Sequence, residues 1–175
     1  MTLEELLDDS ELGWPTCQRE VIIYSQLVPR VVGAVLKAIT KIKTAAFNKE
    51  INTYLGRNGG PPGYDKVESE LDIIDKFLAY KILLDDCIIG GFFLYFEGND
   101  ILHFEDFVIE PKYQGKGYGY RVLCMVQELY PEVKEWKLST PIFSVGNQHL
   151  YEKFGYVETG RDGDEIFYSK MIYKW

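Results

Sequence analysis

Histidine and cysteine are among the scarcest residues of this chain, and its basic residues are outnumbered by acidic ones. Its 175 residues include 2 His and 3 Cys, and 19 Lys and Arg stand against 27 Asp and Glu, a formal net charge of −8. Cys17, Cys87 and Cys124 are widely spaced and odd in number, so neither a disulfide framework nor a Cys-x-x-Cys metal site is expected. With only His103 and His149 beside them, no zinc site or other metal is assigned. The shortage of base disfavours nucleic acid as a partner, because such binding draws on basic surface, and suits a small cationic substrate instead. Long apolar runs are lacking too: the longest, Ile88 to Phe96, is interrupted by Gly90 and Gly91 and falls far short of the ~20 residues a membrane-spanning helix needs. The opening stretch carries Glu4, Glu5, Asp8, Asp9 and Glu11 with no base, unlike a secretory leader. A soluble, cytoplasmic protein with no membrane partner is expected.

What is present in quantity is core. A composition 46% hydrophobic and 15% aromatic suits one compact domain. Residues 1–18 read as an acidic extension, with Thr2 and Glu5 as a capping-box signal for a short helix that Gly13-Trp14-Pro15 would end. Trp14 is a candidate anchor for this arm, onto the domain or onto a second subunit, which keeps a homodimer among the expectations. Residues 19–175 then form the domain.

Within it, Glu20 to Leu27 reads as a strand, followed by a helix with Val31, Val35, Ile39, Ile42 and Ala46 on its apolar face. Arg30, Lys37, Lys41 and Lys43 form a basic stripe that is expected to face solvent. Gly56 to Asp65 is too rich in Gly and Pro for regular structure and reads as a loop. Asp65 and Glu68 mark the next helix start. Three strand signals follow, Ala79 to Leu84, Cys87 to Phe96 and Ile101 to Ile109, joined by hairpin-length turns that imply antiparallel pairing. A helix from Tyr120 to Leu129, a strand from Val133 to Ser139, a helix from Val145 to Phe154 and two closing strands complete the pattern. The expected fold is a single α/β domain with a mixed, largely antiparallel central sheet flanked by helices. Cys124, inside one of these helices, reads as a small packed residue rather than a nucleophile.

The most informative stretch runs from Phe104 to Tyr130: a strand ending at Ile109, a turn at Glu110-Pro111, alternate glycines at 115, 117 and 119, and a helix. N–H groups at a helix start lack intrahelical acceptors and sit at the positive end of the macrodipole, and glycines let a phosphate approach the main chain. Gln114 to Gly119 is therefore a candidate anion cradle. A Walker loop would need Ser or Thr where Gly117 follows Lys116, and a dinucleotide fingerprint would need a small residue where Tyr120 stands.

The pattern Gln114-x-x-Gly117-x-Gly119, after the strand ending Ile109-Glu110-Pro111, resembles the acyl-CoA-binding motif of the GNAT superfamily of N-acyltransferases. Further on, Asn147-Gln-His-Leu-Tyr151-Glu-Lys-Phe-Gly155-Tyr156 is similar to that family's later signature, and the resemblance spans about residues 19 to 173. It implies acetyl-CoA as cosubstrate and a primary amine of a small molecule as acceptor. It further implies main-chain pairing of Phe107, Val108 and Ile109 with the pantetheine arm, and contacts to the pyrophosphate from Gln114, Gly115, Lys116, Gly117, Tyr118 and Gly119. Asn147 is a further candidate cofactor contact, although it stands four residues before Tyr151 where many relatives have an asparagine seven before.

Transfer to an amine needs a base, because an alkyl ammonium with pKa near ~10.4 is mostly protonated at neutral pH. His103, Glu105 and Asp106 are the candidates. Strand alternation would place His103 and Glu105 on one face with Phe107 and turn Asp106 to the other. The run Phe104-Glu-Asp-Phe-Val-Ile resembles the Leu-Glu-Asp-Phe-Phe-Val of spermidine/spermine acetyltransferases, whose glutamate lies at the acceptor site, which favours Glu105. The resemblance assigns Tyr151 as the acid that protonates the departing thiolate; the alternative is an aromatic packed on its helix. Two other readings of the whole chain stay open, an acyl-CoA-binding module without turnover and a structural protein acting through its acidic arm.

Overall fold

The structure, a computed structural model, describes residues 21–25 and 32–173, with side chains from residue 35 onward. The acidic arm expected at residues 1–18, with Trp14, lies outside the described residues, as does Arg30.

Among the described residues seven strands form one sheet: β1 Val21–Ser25, β2 Leu78–Leu84, β3 Cys87–Glu97, β4 Ile101–Ile109, β5 Glu135–Pro141, β6 Val157–Asp162 and β7 Glu165–Met171, in the order β1-β2-β3-β4-β5-β7-β6. All neighbours are antiparallel except β4 and β5. The β2–β3 hairpin turns on Asp85 and Asp86, both at positive φ (48° and 64°), the twist that matches a tight two-residue turn. A parallel neighbour needs a crossover, and helix α3, Tyr118–Leu129, supplies it between β4 and β5. Helices α1, Val32–Leu55, and α2, Val67–Lys76, cover one face of the sheet; α3 and α4, Val145–Phe154, cover the other. The main core packs Leu94, Leu102 and Phe104 against Val122 and Val126 of α3. A smaller one lies under α1, where Ile42 and Ala46 meet Val108.

Two features of β4 place the site. Its pairing with β5 runs only from Ile101↔Glu135 to His103↔Lys137, while β5 stays paired with β7 to Pro141↔Glu165. The strands therefore part, and residues 104–109 face an opening where a strand partner would be. The second feature is a bulge. Phe93 pairs with Glu105 but Gly91 pairs with Val108, so Phe92 alone opposes both Asp106 and Phe107. Asp106 takes φ 57°, a left-handed conformation that aspartate tolerates better than most residues.

The bulge corrects the face assignment made from alternation. Phe107 returns to the face of Phe104, their rings 5.1 Å apart, and does not share the face of His103 and Glu105. Asp106 turns toward α1, where its carboxylate meets Lys43. That contact also corrects the basic stripe. Lys37 and Lys41 are exposed, but Lys43 is only 4% exposed and bonds both Asp106 and, at 2.5 Å, Glu70 of α2. Smaller differences concern element ends. α2 starts with Lys66 at its cap and no side-chain cap bond, so Asp65 does not play the expected part. α3 starts at Tyr118, two residues early, because Gly117 at φ 84° makes the turn into it.

Candidate active site

A cleft of about 590 Å³ opens where β4 and β5 separate. Glu105, Asp106 and Phe107 of β4 line one side, and Asn147 and Tyr151 of α4 with Asp164 and Glu165 line another. Phe47 and Glu50 of α1 and the run Gly60 to Tyr64 close it over. The Gly- and Pro-rich loop is thus a wall of the cleft. It is tied to α1 by Asn48, whose Oδ1 accepts from the Gly59 N–H at 3.0 Å and from the Tyr64 hydroxyl at 2.9 Å.

At one end of the opening stands the glycine loop. Gly115 and Gly117 both take positive φ, 72° and 84°, and a Cβ on either would meet nothing within 4 Å. Backbone shape and open space both favour glycine there. Arg121 makes the first helical bond, to the Gly117 carbonyl at 3.2 Å, so the Tyr118 and Gly119 N–H groups lie ahead of the intrahelical ladder. Gly119 has a different reason for its identity, since a Cβ would stand 3.0 Å from Leu150 of α4. Tyr118 is buried in the core and Lys116 is exposed, its ammonium 5.7 Å above the Tyr113 ring. Gln114 works within the loop: its Nε2 donates to the Ile109 carbonyl and its Oε1 accepts from Lys49 of α1, both at 2.8 Å. Ile109 and Val108 are buried and Phe107 is partly so, while their main chain runs along the opening.

The chemistry-bearing groups gather deeper. Tyr151 is 4% exposed, and burial, with the charges of Glu105 and Glu50, holds its phenol well above its ordinary value. Glu105 is pushed up to about 7, first by burial and then by the negative charges of Asp106 and Glu165. Burial also raises Glu50, against the pull of the Ser144 hydroxyl, and raises Glu165. For Lys43, burial works against the charge, but Asp106 and Glu70 more than offset it and hold its pKa up. Among the described residues the charged groups lining the cleft are acidic except Lys43, which is already engaged.

The structure thus brings Glu105, Asp106, Phe107, Asn147 and Tyr151 around one cleft and sets Gln114 to Gly119 at the end of the same opening. His103 lies next to Glu105, its Nδ1 3.9 Å from Glu105 Oε1. His149 is exposed, and Cys124 is half-buried with its thiol raised by burial. Lys49, Glu50, Asp164 and Glu165 were not singled out in the sequence, and Lys43 was read there only as part of a solvent-facing stripe. Each reaches the site from a distant segment, and no local pattern marks them. Among the described residues no group of His, Cys, Asp and Glu has the arrangement of a metal site, and no helix is long and apolar enough to cross a membrane.

Residues 76–158 match the family model for the GNAT acetyltransferase domain. Among solved structures, the PaiA N-acetyltransferase of Thermoplasma acidophilum in complex with coenzyme A is 16% identical, with a TM-score of 0.69 over 87% of this chain and 99% of that one. The IAA acetyltransferase of Bacillus cereus is 17% identical, with a TM-score of 0.59 over 87% and 100%. A streptothricin acetyltransferase candidate of Bacillus anthracis, in complex with acetyl coenzyme A, is 27% identical over 55% of this chain and 62% of that one, with a TM-score of 0.50. No curated protein matches the sequence. Residues 76–158 thus carry the likeness to the GNAT acetyltransferase domain, and the fold around them is the one these structures share.

Proposed function

We propose that this protein moves the acetyl group of acetyl-CoA to the primary amine of a small cationic molecule by direct attack in a ternary complex. The observation that carries the reading is one cleft that holds a carboxyl poised near neutrality, Glu105, and a phenol kept protonated, Tyr151, beside a glycine cradle.

The residues fit the cosubstrate. The edge of Phe107 to Ile109, which no strand pairs, offers main-chain partners to an extended amide-bearing arm, the Ile109 carbonyl being shared with Gln114. The free space over Gly115 and Gly117, with the helix start behind it, suits a pyrophosphate, and Lys116 and Lys49 add positive charge nearby. When bound, acetyl-CoA supplies an acyl carbon open to attack by an uncharged amine.

The acceptor reaches the cleft as an ammonium, which the carboxylates of Glu50, Glu105, Asp164 and Glu165 attract. Glu105, ionised above about pH 7, takes one proton from it and leaves a nucleophilic amine. Tyr151 gives its proton to the departing sulfur and regains one from the nitrogen as the amide forms, and burial suits it to this because the phenol does not ionise at neutral pH.

The test is Tyr151→Phe, which removes one hydroxyl and keeps the ring packed on Tyr156 and Tyr168. Acetyl-CoA affinity and melting temperature should stay near those of the parent, while single-turnover acetyl transfer slows by ~100-fold or more. Unchanged single-turnover transfer would remove the acid role from Tyr151.

A further inference from the structure

Glu105 heads a row of polar groups on its face of the sheet. Behind it on β4 is His103, Nδ1 3.9 Å from Glu105 Oε1. The other ring nitrogen, Nε2, lies 2.6 Å from Glu97 Oε2 at the end of β3. Tyr95 stacks on the imidazole at 4.4 Å and 10°, which fixes the plane of the ring. The row ends in solvent, since the Glu97 side chain is 53% exposed and also accepts from Lys137 of β5 at 3.1 Å.

Proton balance gives this row a task. An acceptor ammonium begins with three protons on nitrogen. One stays on the amide, one leaves with the thiol, and one must reach solvent for each acetyl group moved. The last is the proton on Glu105, a carboxyl buried enough to titrate near 7 beside Asp106 and Glu165, in a cleft that bound substrates fill.

We propose that His103 relays this proton from Glu105 to Glu97 at the surface. The inference rests on the assignment of Glu105 as the base. The acceptor N–H bond breaks as the Glu105 O–H forms; that O–H breaks as the proton passes to Nδ1. The proton on Nε2 moves to Glu97 and from there to buffer. A small carboxylate rotation or one water closes the 3.9 Å gap. Exchange with water at the partly exposed ring restores the starting tautomer. Nothing is oxidised or reduced.

The test is His103→Gln, which keeps a hydrogen-bonding group toward Glu97 but cannot pass a proton through two ring nitrogens. Steady-state turnover with acetyl-CoA and an amine is measured in dilute buffer, then with added imidazole, alongside Glu105→Gln and the parent. In dilute buffer His103→Gln should lose ~10-fold or more in turnover, with melting temperature and acetyl-CoA affinity as in the parent, and imidazole should restore it. A His103→Gln enzyme as fast as the parent in dilute buffer, or a loss that imidazole leaves in place, overturns the relay. The companion variant separates the two claims. Loss of turnover in Glu105→Gln alone leaves the base and removes the relay, whereas full turnover in Glu105→Gln overturns both.

Discussion

Replacing Glu105 with glutamine should make the protein more stable and less active at once. The carboxyl is pushed from 4.5 to about 7 by burial and by Asp106 and Glu165. Between those values the folded chain holds a proton that the unfolded chain has released. Stability therefore falls as pH rises from 4.5 through about 7, and this cost persists above it. At 1.36 kcal/mol per pH unit, the rise costs the ionised parent about 3 kcal/mol. Glutamine occupies nearly the same volume and carries no charge, so Glu105→Gln should match the parent near pH 4.5 and gain progressively above it. In a chain of this length about 3 kcal/mol corresponds to a melting temperature higher by about 6–12 °C. The assay is thermal denaturation of both proteins over a pH series, with acetyl transfer measured on the same samples. A glutamine variant no more stable than the parent above pH 7 would show that the carboxylate is held by compensating bonds, and the argument for a poised base would fail. The gain and the loss belong together, because a group tuned for proton transfer is kept at some expense of stability.

Three further outcomes follow from the same geometry. Gly117→Val should abolish the rise in melting temperature that acetyl-CoA gives the parent, since a side chain would enter the open space over a residue at φ 84°; a ligand-induced rise equal to the parent's would contradict the cradle. Lys43→Met leaves Glu70 and Asp106 without their counter-charge and should cost about 3–5 kcal/mol in urea denaturation. A loss below about 1 kcal/mol would mean that the cluster carries no net charge interaction. The parent's kcat/KM should rise with pH through about 7 as Glu105 ionises, and Glu105→Gln should lack that limb; a limb retained in the variant would assign it to another group.

Most strands and helices were legible because their signals are local. Alternation and turn residues mark β2, β3 and β4, and apolar spacing marks α1 and α3. The glycine turn was legible for the same reason, being six consecutive residues with glycine at two left-handed positions with open space above them. The face of Phe107 was not, because a bulge adds one residue and reverses every side chain beyond it. Nothing in Phe104-Glu-Asp-Phe announces that shift. Lys43 was misread for a related reason: a helix face shows its charges in sequence, but only packing shows that one of them meets Glu70 and Asp106 from other elements. Glu50, Asp164 and Glu165 join Glu105 only through the fold, so the acidity of the cleft could be guessed from net charge but not located.

The most direct test of acetyl transfer is the release of thiol from acetyl-CoA in the presence of a panel of primary amines, with the products weighed by mass spectrometry. The account predicts amine-dependent release matched one for one by N-acetylated product, fastest with amines carrying further positive charge. Binding of acetyl-CoA with no amine-dependent release across the panel would contradict it and leave a binding module in its place.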